Sequence, residues 1–264
     1  MKLAAITGAS EGLGKEFARQ LAAEGYNLLV IARRKNLLDE LKADLETKYH
    51  IQVEPLVCDL SKPDELKQIE DRLEKEESLE MLVNNAGFGL DSTFPNVDPD
   101  AEESMIRVHV ITTMRLSRAA LVPMCKQKKG YVINLASVAA YVYGHGSAEY
   151  SATKAYVLSF SKSLQCDVQR HGVRVQALCP GFTHTGFHAT DAMKFFKKDA
   201  MPKWFWLSAE RVVRTSLNSI RHTKRVVCIP SLRYKLIVAF VRNPIGSMLV
   251  GMFSVPRKET ESAT

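Results

Sequence analysis

The order of apolar and amphipathic stretches predicts an α/β fold: a doubly wound parallel sheet of about seven strands, with extra helices at the C-terminus. Three observations carry this. Short apolar runs alternate with helix-period segments along the chain. Runs such as Leu28-Leu29-Val30-Ile31 are apolar without interruption, as strands covered on both faces are. No repeat, low-complexity tract or Pro/Gly/Ser linker interrupts the 264 residues. We therefore read one domain over 1–264, with an apolar and basic extension over 230–264.

The first strand, 2–7, turns through Gly8-x-x-x-Gly12-x-Gly14 into a helix over 13–24. Such a turn presents free backbone N–H groups and a positive dipole end to an anion. Gly8 permits the tight turn, Gly12 lets a pyrophosphate approach the main chain, and Gly14 lets helix and strand pack closely. Ser10 and Leu13 lie in the same turn. The alternative is a glycine-rich turn with no ligand.

The second strand, 27–32, ends in Ala32-Arg33-Arg34, ahead of a helix over 36–48. A carboxylate there would bond the ribose 2′-OH of NAD and repel a 2′-phosphate. An alanine followed by two guanidinium forks suits the phosphate, so NADP(H) is the expected cofactor, with Ser10 also in reach. Otherwise the arginines solvate a helix start.

Strand 52–57 leads through Cys58-Asp59-Leu60 to a helix over 63–76, and strand 80–83 runs into Asn84-Asn85-Ala86-Gly87. There the main chain passes close to the bound cofactor, and the two amides are better suited to bracing the site than to chemistry. A long helix is expected over 100–127. Strand 130–135 then delivers Ser137, whose hydroxyl can hold the oxygen of a carbonyl or alcohol.

In the following helix, 149–170, Tyr150 and Lys154 are four residues apart and share one face. A tyrosine titrating near pH ~10 is a poor acid or base at neutrality. A neighbouring cation is expected to favour the phenolate and bring it toward the working range. Strand 173–178 runs into Pro180-Gly181-Phe182-Thr183-His184-Thr185; a helix over 208–221 and a last strand over 226–229 follow.

In order and spacing, Thr7-Gly8-x-x-x-Gly12-x-Gly14, Asn84-Asn85-Ala86-Gly87, Ser137, Tyr150-x-x-x-Lys154 and Pro180-Gly181 resemble the short-chain dehydrogenase/reductase family over about residues 2–186. Softer features resemble its NADP-preferring subgroup without assigned substrates. The resemblance implies a Rossmann-type sheet, a homodimer or homotetramer, and an NADP-dependent enzyme acting on CH–OH or C=O. It implies that Asp59, beside Leu60, contacts the adenine, though Asp59 also suits a turn ahead of the helix. It implies that Asn85, Ala86 and Gly87 border the cofactor. Thr183 and Thr185, with Pro180 and Gly181, would hold the carboxamide, and Lys154 would also bond the nicotinamide ribose. His109 stands where many members carry an asparagine that holds a relay water; it either serves that relay, through a ring nitrogen or by titrating near neutrality, or fills the place by packing.

Phe187, Met193, Phe195, Phe196, Trp204, Phe205 and Trp206, together with Tyr141 and Tyr143, suggest an apolar substrate pocket with a lid; the alternative is that they fill core or subunit contacts. His145, His184 and His188 lie near the same loops. No histidine pair has metal-binding spacing, so no metal is expected. Five scattered cysteines read as reduced thiols, and a first strand that follows Met1-Lys2 at once leads us to expect no leader and a cytoplasmic chain.

The net charge of +7 is concentrated near the end: residues 203–264 hold eleven Lys/Arg and three Asp/Glu. Two apolar helical patterns lie there, Leu232/Leu236/Ile237/Phe240/Val241 and Ile245/Met248/Leu249/Met252/Phe253. Packing over the cleft or a subunit contact, peripheral attachment to an anionic membrane, and docking of an acidic carrier or substrate all fit this tail. Nucleic acid does not, since no aromatic-interleaved basic run is present. The expected activity is NADP(H)-dependent interconversion of an apolar carbonyl and alcohol; the alternative is a catalytically silent NADP(H)-binding sensor or scaffold.

Overall fold

The computed structural model describes residues 2–90, 94–142, 146, 148–189, 202–243 and 246. β1 (Leu3–Thr7), α1 (Gly12–Ala23), β2 (Asn27–Ala32), α2 (Lys35–Tyr49), β3 (Val53–Val57), α3 (Pro63–Glu74) and β4 (Leu79–Asn84) alternate through the first third. α4 (Pro99–Ile106), α5 (Thr112–Gln127), β5 (Gly130–Leu135), α6 (Ala148–Val168) and β6 (Val173–Leu178) follow. The remainder holds β7 (Thr183–His184), β8 (Leu207–Ser208), α7 (Ala209–His222), β9 (Val227–Cys228) and α8 (Leu232–Val241).

Seven strands form one parallel sheet in the order β3-β2-β1-β4-β5-β6-β9, the doubly wound Rossmann-type arrangement. Alternate residues of each strand face opposite sides. Ala4, Ile6, Leu28 and Val30 pack with Phe17 and Leu21 of α1, Leu41 of α2 and Leu217 of α7. Leu3, Ala5, Leu29 and Ile31 pack with Leu73 of α3 and with Leu116 and Met124 of α5. Pro55, which has no N–H to donate, sits on the edge strand β3. The order reverses between β1 and β4, and a crevice opens beyond their carboxyl ends, where such sheets bind ligands.

The helix expected over 100–127 is interrupted. A π-helical turn, Arg107–Ile111, separates α4 from α5 and buries Val108 and His109. One extra residue per turn breaks the 3.6-residue register that the sequence pattern implied. The two-residue strands β7 and β8, which pair apart from the main sheet, are too short to leave a periodic signal.

Candidate active site

The turn after β1 is glycine for steric reasons. Gly8 and Gly12 have φ of +65° and +57°, the left-handed region that side chains disfavour. A Cβ on Gly14 would overlap the Gly8 carbonyl oxygen, so Gly14 serves helix-to-turn packing and stays off the cavity wall. The turn is tied to the end of β4. The Asn85 amide donates to the carbonyls of Thr7 (2.9 Å) and Gly8 (3.2 Å), and the Thr7 hydroxyl accepts the N–H groups of Asn85 and Ala86 (2.9 and 3.0 Å). Asn84 points into the core, where it donates to Asn134 Oδ1 (2.8 Å) and Ser117 Oγ (3.0 Å). Both amides therefore brace the crevice.

A cavity of about 640 Å³ occupies that crevice. Gly8, Ser10, Gly12, Leu13, Arg33, Arg34, Asp59, Leu60, Asn85, Ala86 and Gly87 line one end; Ser137, Tyr150, Lys154, Pro180, Gly181, Thr183 and Thr185 line the rest. Fragments from the loops after six strands, with Tyr150 and Lys154 of α6, thus converge on one cavity. Bare left-handed backbone beside Ser10 and two exposed arginines fits a phosphate-bearing dinucleotide. Arg34 donates to Ser10 Oγ (2.9 Å) and pairs with Glu11 (2.9 Å). Sequence reasoning overlooked Glu11, since nothing local marks a glutamate in the turn as the partner of an arginine across the groove. Asp59 accepts from the Ser61 N–H and hydroxyl (3.0 and 2.7 Å), the turn arrangement weighed above, while still lining the cavity. Burial pulls its carboxyl up, but the Ser61 bonds and the charges of Arg33 and Lys62 outweigh that and leave it below the usual range.

At the other end, α6 sets Tyr150 and Lys154 one turn apart, and Ser137 comes off the end of β5. Lys154 is buried and donates from Nζ to the Leu135 carbonyl (3.0 Å). Its Nζ stands 5.6 Å from the centroid of the Tyr150 ring. The Ser137 hydroxyl accepts the Ala139 N–H (3.1 Å).

The expected electrostatics are reversed here. Burial pushes the Tyr150 phenol up to about 12, with a hydrogen bond to Ser137 opposing the rise. Burial brings the Lys154 ammonium down to about 7, with Cys179 opposing. Desolvation penalises both charged forms, and at this separation it dominates the attraction expected from the four-residue spacing.

The proton-relay reading of His109 is also corrected. Its Nε2 accepts the Phe88 N–H (3.2 Å), and its Nδ1 lies 3.0 Å from Thr153 Oγ1. The Thr153 hydroxyl already donates to the Tyr150 carbonyl (2.8 Å), so it accepts from Nδ1–H, and the ring is the neutral Nδ1–H tautomer. Burial first, then the Lys154 charge, hold its pKa well below the ordinary 6.5. With both nitrogens occupied and the ring off the cavity wall, His109 packs. Its edge meets the Tyr150 ring at 5.8 Å, and a Cβ on Gly87 would collide with Nε2.

Apolar side chains close this end: Phe88, Leu90, Val108, Val138, Val142 and Phe187, the last 6.0 Å from the Tyr150 ring. Phe182 lines the cavity and meets Trp206 at 5.5 Å; Trp206 stacks on His184 at 5.1 Å. Tyr141 is not on the wall; it packs on the cluster of Val157, Leu158 and Cys179. Trp204 and Phe205 turn toward α8, where Tyr234 accepts the Phe182 N–H (3.0 Å) and donates to the Phe205 carbonyl (2.8 Å). A Cβ on Gly181 would overlap the Tyr234 ring, so the tail helix dictates glycine beside the cavity. Tyr143, His145, Met193, Phe195, Phe196, the His188 side chain and the 245–253 pattern lie outside the described residues. Among the described residues no group of three or more His, Cys, Asp or Glu gathers to hold an ion.

The same span is recognisable in known proteins. The family model of short chain dehydrogenases matches residues 2–194. An uncharacterized oxidoreductase of Staphylococcus saprophyticus is 33% identical over 185 residues, which are 70% of this chain and 79% of that protein. A very-long-chain 3-oxoacyl-CoA reductase of Phaeosphaeria nodorum is 33% identical over 184 residues, 66% of this chain; the match spans about half (53%) of that relative's length. Among solved structures, a short-chain dehydrogenase from Sphingobium yanoikuyae in complex with NADPH superposes with a TM-score of 0.82 at 27% identity, covering 98% of each chain. With sequence, sheet order and crevice agreeing over the same residues, the chain belongs to the short-chain dehydrogenase/reductase family.

Proposed function

We propose that the chain, an oxidoreductase by family, interconverts a carbonyl and an alcohol on an apolar substrate with NADP(H) as its cofactor. The observation that carries this reading is one cavity that joins the glycine turn to Ser137, Tyr150 and Lys154. The NADPH complex of the Sphingobium enzyme supports the cofactor, and the 3-oxoacyl-CoA reductase relative supports a ketone carried on an apolar chain.

When bound, NADP(H) supplies a hydride to the carbonyl carbon or takes one from the alcohol. Gly12 and Leu13 receive its pyrophosphate on backbone N–H groups, with Gly8, whose own N–H donates to the Ile31 carbonyl (2.8 Å), leaving room for it beside them, and Ser10, Arg33 and Arg34 receive the 2′-phosphate. Asp59, Leu60, Asn85, Ala86 and Gly87 border its adenosine side, while Pro180, Gly181, Thr183 and Thr185 seat the nicotinamide. Lys154 bonds the nicotinamide ribose. Ser137 and Tyr150 hold the substrate oxygen. A phenol near 12 is protonated at neutral pH, so Tyr150 Oη is poised to donate its proton to that oxygen in reduction. Oxidation requires the phenolate, which a charged Lys154 stabilises. The apolar wall of Phe88, Val142 and Phe187 excludes water and receives the rest of the substrate. A homodimer or homotetramer in the cytoplasm, and residues 1–264 acting as one unit, complete the reading.

The test is NADPH oxidation with apolar ketones and 3-oxoacyl thioesters, run beside Tyr150→Phe. Turnover should fall by about 10²–10⁴-fold in the variant while NADPH affinity stays within about twofold. NADPH binding with no turnover on any of these carbonyls favours the silent sensor instead.

A further inference from the structure

α7 and α8 make opposite use of their outer faces. α7 buries Val212, Val213, Leu217 and Ile220 and shows solvent Glu210, Arg211 and Arg214, as an amphipathic helix should. α8 buries Tyr234, Val238 and Val241, yet its other side is also apolar. Leu232, Leu236 and Phe240 recur every four residues in one stripe and are 69%, 64% and 52% exposed. Trp204 is 54% exposed and sits beside them, its carbonyl accepting from Arg233, whose guanidinium lies 5.8 Å from the ring centroid. Scattered exposed leucines mean little, but four large apolar side chains together mark an interaction surface.

The rim of this patch is basic. Lys203, Arg233, Lys235 and Arg242 are all exposed, and α8 contains no acidic residue. A second copy of the same basic face would repel it. A nucleic acid matches the charge but offers nothing to the leucines. No described helix is long and apolar enough to cross a membrane, so the face suits a surface and not a span. We propose that this face of α8 docks the protein on an anionic lipid surface. Leu232, Leu236, Phe240 and Trp204 enter the headgroup boundary, and Lys203, Lys235 and Arg242 meet lipid phosphates. The buried face of the same helix, through Tyr234, is hydrogen-bonded to Phe182 at the cavity, so the docking face is fixed to the body of the protein. The inference does not depend on the oxidoreductase reading, and binding alone tests it.

The full chain should co-sediment with phosphatidylcholine vesicles that contain phosphatidylserine, and binding should weaken as salt rises. Trp204 fluorescence should shift to the blue on binding, and Trp204→Phe should remove that shift. Leu236→Glu, at an exposed position, should keep the melting temperature and lose about tenfold or more in vesicle affinity, the worth of one buried leucine. Equal binding of Leu236→Glu overturns the proposal, as does equal binding to phosphatidylcholine alone. An oligomer that dissociates in Leu236→Glu, with no vesicle binding by either form, overturns it in favour of a contact between copies.

Discussion

Beneath β1 and β2 the cleft exposes glycine and main chain, held by bonds that tie Thr7 and Gly8 after β1 to Asn85 after β4. Beneath β5 and α6 it exposes side chains, with Phe88, Val108, Val142 and Phe187 drawn from well-separated segments, and a tail residue, Tyr234, holds the Phe182 N–H beside them. Under the proposed function the first end binds a ligand part that is the same in every turnover, and backbone N–H groups in fixed positions suit it. The second must fit one particular substrate, and side chains can be exchanged there without disturbing the sheet. We expect the two ends to respond differently to mutation and to pH.

The largest expected effect comes from Lys154, the charge buried deepest between the two ends. Burial lowers it from an ordinary 10.5 to about 7 in the folded protein. Between those values the unfolded chain binds the extra proton, so folding stability rises as pH goes from about 7 toward 10.5. Below about 7 the folded lysine is charged too, and its full desolvation cost is present. Denaturation midpoints should climb from about pH 7 toward 9, above which the buried Cys58 and Cys179 thiols, pushed from 9.0 up to about 12, pull the other way; Lys154→Met should flatten the climb. If the variant and the parent climb alike, Lys154 is not the desolvated group.

Next comes a direct contrast. Gly14→Ala places a methyl against the Gly8 carbonyl and should cost about 1–3 kcal/mol of stability while weakening NADPH binding. Phe187→Ala trims the apolar wall and should raise KM for an apolar ketone by about tenfold, leaving NADPH affinity unchanged. Thermal melts and steady-state kinetics separate the two, and a Phe187→Ala variant that loses NADPH would break the division of the cleft.

The smallest effect is expected at Glu11. Its carboxylate pairs with Arg34 in the groove we propose for the 2′-phosphate. Glu11→Gln removes a competing negative charge and frees the guanidinium, so NADPH should bind a few-fold more tightly, with NADH unchanged. Both ion-pair partners are about half exposed, which keeps the effect modest. Titration of each cofactor by fluorescence reads it, and equal gains for NADH and NADPH would detach Arg34 from the 2′-phosphate.

The cofactor end was legible in the sequence because its determinants are local. Gly8, Gly12 and Gly14 lie within seven residues, and the positive φ values that require the first two are properties of a single turn. The order of strands and helices was legible for the same reason, since burial on both faces leaves continuous apolar runs. Tyr150 and Lys154 were placed correctly on one helix face, but their protonation was not. The expected phenolate rested on spacing alone, and desolvation depends on everything else that surrounds the pair.

His109 teaches the same point: its type allowed a relay, and only the contacts of Phe88 and Thr153 with its two nitrogens made it a packing residue. Tyr141 looked like a pocket residue, yet it ends a 3-10 turn whose first residues line the cavity and whose last two, Ala140 and Tyr141, pack on the Cys179 cluster. The sequence by itself determined the sheet, the glycine turn and the face shared by Tyr150 and Lys154, because each follows from backbone sterics or periodicity within one or two elements. Only the tertiary structure decided the charge states, the pairing of Glu11 with Arg34, and the clasp of Tyr234 on Gly181 and Phe182. Each of those is set by groups that meet across the fold, where burial and distance have no signature in the order of residues.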